Sequence, residues 1–186
     1  MEAIVFKMER WKESALIYEG KIVNLRTGYV SLEDGKTAFR EVIEHPGGVC
    51  IAVLDKEQVV LVRQFRIAIG KYILEAPAGK MEGNDDPMER ARKELEEETG
   101  YKAGVFEYLG SAYSSVGYCS EIIHYYFATD LEFVGTKPDE DENIEIVKIP
   151  ISEVEEKLKT FQFDDSKTYI ALQAMFYRLK EKNFYK

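Results

Sequence analysis

The sequence predicts an α/β (α+β) fold, a mixed β-sheet sandwiched between helices and preceded by a small antiparallel β unit. Three observations carry this. Residues 5–45 alternate apolar and polar positions with turn residues between them, as half-buried strands do. Two apolar runs of strand length, Val49–Leu54 and Val59–Gln64, flank an Asp55-Lys-Glu57 turn and read as buried strands. Helical patterns with start and stop signals follow, interleaved with further strand-like runs.

In order, Ile22–Leu25 and Tyr29–Leu32 read as strands, and Glu33-Asp-Gly-Lys36 reads as a hairpin turn leading into Thr37–Ile43. His45-Pro-Gly-Gly48 breaks the chain, which places a boundary between an N-terminal β unit, residues 1–45, and a main domain, residues 46–186. After the two buried strands, Glu75-Ala-Pro-Ala-Gly79 predicts a rigid turn with exposed carbonyls, because proline neither continues a strand nor donates a hydrogen bond. The next helix is strongly specified. Asp86 is its N-cap, Pro87 its first residue, Glu89 completes a capping box, and Gly100 stands at the C′ position. Its apolar stripe is Met88, Ala91 and Leu95. Gly104–Ser111, Ile122–Thr129 and Ile144–Pro150 read as strands. Ser152 with Glu155 predicts a capped helix bearing Val154 and Leu158, and a last helix over about 167–182 turns Ile170, Ala174 and Leu179 inward.

Composition narrows the function classes. A chain of 186 residues and 21.4 kDa, 45% hydrophobic and 12% aromatic, is long enough for a substantial core. A net charge of −9 excludes a protein that grips nucleic-acid backbone, since phosphate would be repelled. A small anionic substrate stays compatible, because a metal and a few arginines invert the local field. Cys50 and Cys119 are the only cysteines, so a reducing, cytoplasmic setting is expected, although one pair could bridge. The N-terminus MEAIVFKMERW has no apolar stretch of signal length, and no run approaches a membrane span.

The capped helix carries the chemistry. Glu94, Glu97 and Glu98 fall at i, i+3 and i+4, on one face and on a different side from the apolar stripe. Like charges at that spacing cost a helix about 0.2–0.5 kcal/mol per pair. A solvated acidic face is the bland reading. A hard divalent cation such as Mg²⁺, which prefers carboxylate and carbonyl oxygens, is the functional one.

The stretch GKMEGNDDPMERARKELEEETGY, residues 79–101, resembles the Nudix box, G-x₅-E-x₇-R-E-U-x-E-E-x-G-U, where U is a bulky apolar residue. Gly79, Glu94, Leu95, Glu97, Glu98, Gly100 and Tyr101 match in register. Two positions depart: Asp85 stands for the first Glu, and Lys93 for the Arg, losing the planar fork that grips a carboxylate. The N-terminal β unit, LVRQFR at 61–66, LEAPAGK at 74–80 and IALQA at 170–174 resemble the ADP-ribose pyrophosphatase branch of Nudix hydrolases. Where many of that branch carry Ser-Pro-Gly, this chain has Ser115-Val-Gly117, with Tyr118 beside it, an aromatic of the sort dinucleoside-polyphosphate relatives carry.

The resemblance implies a Nudix α/β/α sandwich and a homodimer paired through the N-terminal unit. It implies Mg²⁺, with Mn²⁺ or Zn²⁺ as substitutes, held by Glu94, Glu98, Glu97 and the Ala78 carbonyl. It implies hydrolysis of ADP-ribose to AMP and ribose 5-phosphate, the alternatives being GDP-mannose, a dinucleoside polyphosphate, or a non-catalytic nucleotide-sugar sensor. Gly79, Arg66 and Arg40 are implied substrate contacts. Arg63 joins them, and a solvated salt bridge is the other reading of both Arg63 and Arg66. In KPDEDEN the resemblance points to Glu142, then Glu140, as the group handling water, with Glu97 next. Trp11 and Phe39 could stack on a base or serve a core or interface. His45 and His124 read as structural, and neither cysteine has the surroundings of a nucleophile.

Overall fold

The computed structural model describes residues 8–135 and 143–182, and the chain divides into two compact units. One takes in the chain up to Pro46 together with Tyr113–Glu121; the other takes in Gly47–Ala112 and the chain from Ile122 onward.

The first unit is a three-stranded antiparallel sheet of β1 (Arg10–Glu19), β2 (Asn24–Ser31) and β3 (Thr37–Glu44), in that order. β2 is one strand where the sequence reading has two: Arg26, Thr27 and Gly28 are all paired with β3, so no turn intervenes. β1 is a strand that the sequence reading does not mark. The hairpin turn at 33–36 is present. Leu32 N–H donates to the Lys36 carbonyl at 2.9 Å, and the Asp34 carboxylate caps the Lys36 N–H at 3.0 Å. The segment carrying Ser115-Val-Gly117 belongs to this unit. Ile43 N–H donates to Tyr118 O at 2.7 Å and Ser120 N–H to Ile43 O at 2.9 Å.

The second unit is built on a seven-stranded mixed sheet. Its main path is β10 (Glu145–Pro150), β5 (Gln58–Arg66), β4 (Gly48–Asp55), β9 (Ile122–Phe133), β8 (Tyr101–Tyr113). Two short strands lie off it: β6 (Lys71–Glu75) on β5 and β7 (Ala78–Lys80) on β4. The β4–β9 pair is parallel, and β4 with β5 is antiparallel. The strand period of two sorts β4 between two cores. Cys50, Ala52 and Leu54 face one side with α2 (Ile151–Lys159) and α3 (Ser166–Glu181). Val49, Ile51 and Val53 face the other with α1 (Pro87–Thr99). These are the three layers of the expected sandwich.

Three local expectations fail. The 75–79 segment is not simply a turn: both flanks pair with the sheet, and only Ala76-Pro77 lies between β6 and β7. Ser152 does not cap α2, which starts two residues earlier than such a cap predicts, at Ile151, with Pro150 before it and no side-chain cap. Along α3, Ile170 is 41% exposed and Ala174 only half-buried; the inward residues are Ala171, Leu172, Met175, Phe176 and Leu179. The true N-cap, Asp165, accepts from Thr168 N at 2.9 Å and sets that register.

Candidate active site

α1 starts as its sequence requires. One Asp86 oxygen accepts from the N–H groups of Met88 (3.0 Å) and Glu89 (3.1 Å), and Gly100 closes the helix at φ 72°, where an L side chain is strained. Ala91 and Leu95 are buried in the core beneath β4, the Leu95 side chain alone contributing about 1.5–3 kcal/mol. The glutamates do not lie on a separate solvated side. Glu94 and Glu98 continue the buried stripe at 6% and 5% exposure. The stripe runs past the end of the apolar core onto the backbone of β7, a polar surface that accepts carboxylates.

Ala78 N–H donates to Glu98 Oε2 at 3.0 Å. Gly79 lies so close to Glu94 that a Cβ would stand 1.8 Å from Oε1. Arg90 Nη2 lies 2.5 Å from the same Oε1. Glu97 is more exposed and pairs with Lys93 at 3.4 Å, one turn back. The structure therefore brings Ala78, Gly79, Glu94 and Glu98 together and leaves Glu97 on the rim of the helix.

A second charged cluster holds the segment leading into this site. Glu75, 3% exposed, receives Arg66 on Oε2 (Nε 2.8 Å, Nη2 2.5 Å) and Lys167 on Oε1 at 3.0 Å. Lys167 also meets Asp165 at 3.0 Å, and Thr168 Oγ1 donates to Asp165 while accepting from Ala76 N–H. Burial alone would raise the Asp165 carboxyl, but the Lys167 charge and the Thr168 bonds outweigh it and hold it below its usual range. Burial likewise works against the Lys167 ammonium, and Asp165 and Glu75 overcome it.

The remaining sequence-named residues fall as follows. Arg66 is bound to Glu75 and keeps 40% of its side chain exposed. Arg63 pairs with Glu145 at 3.1 Å and stacks over Tyr72, the salt-bridge alternative. Arg40, in the first unit, makes two bonds to Glu9. Trp11 and Phe39 are exposed, and Phe39 meets Tyr29 edge-on. His45 lies 3.5 Å from Glu121. Both cysteines are free, and burial pushes the Cys50 thiol far up, so it is no nucleophile. Glu140 and Glu142 lie outside the described residues. Arg90, Glu75 and Lys167 are missing from the sequence reading. Arg90 was legible at i−4 from Glu94, whereas no spacing joins Glu75 to Lys167.

Among the described residues no three His, Cys, Asp or Glu side chains converge as a metal cluster. The donor chemistry nevertheless suits a hard divalent cation: two buried carboxylates set against main-chain groups, with no sulfur or imidazole among the contacts found there. A groove of about 370 Å³ lined by Arg92, Lys102 and Phe106 includes neither carboxylate and plays no part in this constellation.

A model described as the NUDIX domain matches residues 44–172. The chain is 39% identical over 168 residues to a methanol dehydrogenase activator of Bacillus methanolicus, covering 89% of this chain and 91% of the other. It is 36% identical over 168 residues to an ADP-ribose pyrophosphatase of Bacillus subtilis strain 168, covering 89% and 90%. With a GDP-mannose pyrophosphatase of Escherichia coli K12 it shares 36% over 144 residues, covering 72% and 75%. The crystal structure of an ADP compounds hydrolase has the same fold, with a TM-score of 0.83 over 94% of this chain and 95% of that one at 20% identity.

Proposed function

The chain belongs to the Nudix family and is a Nudix pyrophosphohydrolase, and from that premise we propose that it hydrolyses ADP-ribose to AMP and ribose 5-phosphate with Mg²⁺. The observation that carries this reading is the burial of Glu94 and Glu98 against the Ala78-Gly79 backbone. Two carboxylates withdrawn from water and brought together on the β7 backbone are the kind of oxygen donor set that a hard divalent cation takes.

Nudix hydrolases generally use divalent metal ions, and Glu94, Glu98, the Ala78 carbonyl and Glu97 are the oxygens that would hold one here. Bound there, the ion would neutralise the diphosphate and make a water more acidic. The protein's own groups do the rest. Arg66, anchored on Glu75, offers its exposed edge to a phosphate oxygen, where a planar fork suits the geometry. Glu142, or Glu140 beside it, takes the proton from the attacking water. This assignment rests on their place in the chain, as do the substrate contacts of Arg40 and Arg63. The first unit pairs with a second copy, and the enzyme works in the cytoplasm.

Relatives named for ADP-ribose and for GDP-mannose make nucleotide sugars the substrate class to test first. Purified protein with Mg²⁺ is offered ADP-ribose, GDP-mannose and a dinucleoside tetraphosphate, with phosphatase added and phosphate measured by malachite green. ADP-ribose should give the highest kcat/KM; a tenfold preference for another member would replace it as the substrate. A second reading comes from the relative named methanol dehydrogenase activator. Under it, the chain raises the rate of a methanol dehydrogenase, and adding it to such an enzyme decides that point.

A further inference from the structure

Arg90 lies one turn before Glu94 on α1, its side chain only 12% exposed. Nη2 meets Glu94 Oε1 at 2.5 Å, and Nη1 lies 3.7 Å from Glu82 in the segment between β7 and the helix. Nε is buried and has no hydrogen-bond partner among the described residues. Lys93, directly before Glu94, is 59% exposed and pairs with Glu97 instead. The basic position that the box places beside its first helical glutamate therefore does not serve that glutamate here. Successive helix positions differ by about 100°, so Lys93 and Glu94 point apart, whereas i and i+4 share a face.

We propose that Arg90, rather than Lys93, is the positioning residue that fixes the Glu94 carboxylate for divalent-cation binding. The inference rests on Glu94 being a cation ligand. Gly79 lies close against the Glu94 carboxyl group and Arg90 holds its Oε1, so both contacts limit its rotation. Without the guanidinium, a 6% exposed carboxylate stands beside the equally buried Glu98 with one fewer counter-charge. It must turn away or give up its charge, and either change weakens a ligand. A guanidinium does this work better than an ammonium because its fork is planar and rigid.

The test measures Mn²⁺ binding to the full chain by electron paramagnetic resonance of the free ion, with thermal melts run alongside. Arg90→Gln should bind Mn²⁺ roughly 10–100-fold more weakly than wild type, the range typical for groups that orient metal ligands. Arg90→Lys should recover part of the loss, and Lys93→Gln, which loosens only the exposed ion pair to the rim residue Glu97, should weaken binding by no more than about threefold. If Arg90→Gln does not fold, Arg90→Lys against Lys93→Gln decides alone, since a role in folding alone gives no graded Mn²⁺ affinity. Equal losses at Arg90 and Lys93, or no loss at Arg90, overturn the proposal. A wild-type chain whose Mn²⁺ binding is untouched by Glu94→Gln would overturn the ligand assignment instead, and the Arg90 role with it.

Discussion

Gly79 and Glu94 are in such close contact that a methyl group on Gly79 would stand 1.8 Å from Oε1 and 1.9 Å from the carboxyl carbon. The box thus needs glycine at this position for space. No left-handed backbone is involved at Gly79. The neighbour is a side chain, so an added methyl displaces the carboxylate and not the sheet.

Gly79→Ala should therefore still fold but melt lower, because the displaced carboxylate leaves Arg90, and lose activity by about 10–100-fold, the scale on which misplaced metal ligands act. Melting curves and kcat/KM on ADP-ribose check the two halves. A variant that melts like wild type and works like wild type would show that Glu94 has slack the structure does not reveal.

The helix glutamates should separate into two kinds. Glu94 and Glu98 are buried against β7, while Glu96 is half-buried and pairs with Lys102 at 3.4 Å. Glu94→Gln or Glu98→Gln should lower kcat by roughly three orders of magnitude or more, because a neutral amide ligates a hard cation poorly. Glu96→Gln should change it by less than about twofold, as surface changes away from a site do. Equal losses at Glu96 and Glu98 would remove the ligand assignment.

What the sequence made legible follows physical range. α1 was readable to the residue because its caps act locally, Asp86 on the next two turn amides and Gly100 on Glu96 O. The strands β4 and β5 were readable because both of their faces are buried, which leaves uninterrupted apolar runs. β6 and β7 were missed because proline punctuates them and their pairing partners lie in other strands. The burial of Glu94 and Glu98 was missed for a related reason. Helical spacing sorts residues by face, but which face meets a polar backbone depends on β7, and nothing in the helix says so. Lys167 reaches Glu75 from 92 positions away.

The local partner of Lys167, Asp165, gives this cluster a pH signature. Asp165 is held below its ordinary 3.8, so its contribution to stability is present above that value and is lost as pH falls through the lower folded-state value. Lys167 is held above its ordinary 10.5, so its contribution is present below that value and is lost as pH rises through the higher one. Between the two, stability should be flat with respect to this pair. Lys167→Met leaves Glu75 with Arg66 alone and should cost about 3 kcal/mol, the low end for breaking a buried pair. At this chain length that lowers Tm by roughly 6–12 °C. The difference from wild type should hold at pH 5 to 9 and shrink below pH 3.8. A difference that grows in acid would show that the pair does not govern the effect.

The last prediction concerns the first unit. Among its described residues Val30 is the one hydrophobic side chain that is fully buried, at 4% exposure. All ten residues of β1 are exposed, and Ile17 (61%), Tyr18 (58%) and Phe39 (50%) stand open on the sheet. Three strands with so little core do not hold together well by themselves, and apolar area of this extent on a small sheet calls for a cover. A second copy of the chain would provide one in a closed two-fold arrangement. Light scattering at micromolar concentration should report about twice the 21.4 kDa chain mass. Ile17→Glu should shift the population toward monomer, because an unpaired charge in a dry interface costs several kcal/mol. If the dimer also completes the substrate site, that variant should lose kcat/KM in proportion to the monomer formed, and raising the protein concentration should restore it. A monomeric wild type with full activity would sink the shared-site idea and leave the exposed face to another partner.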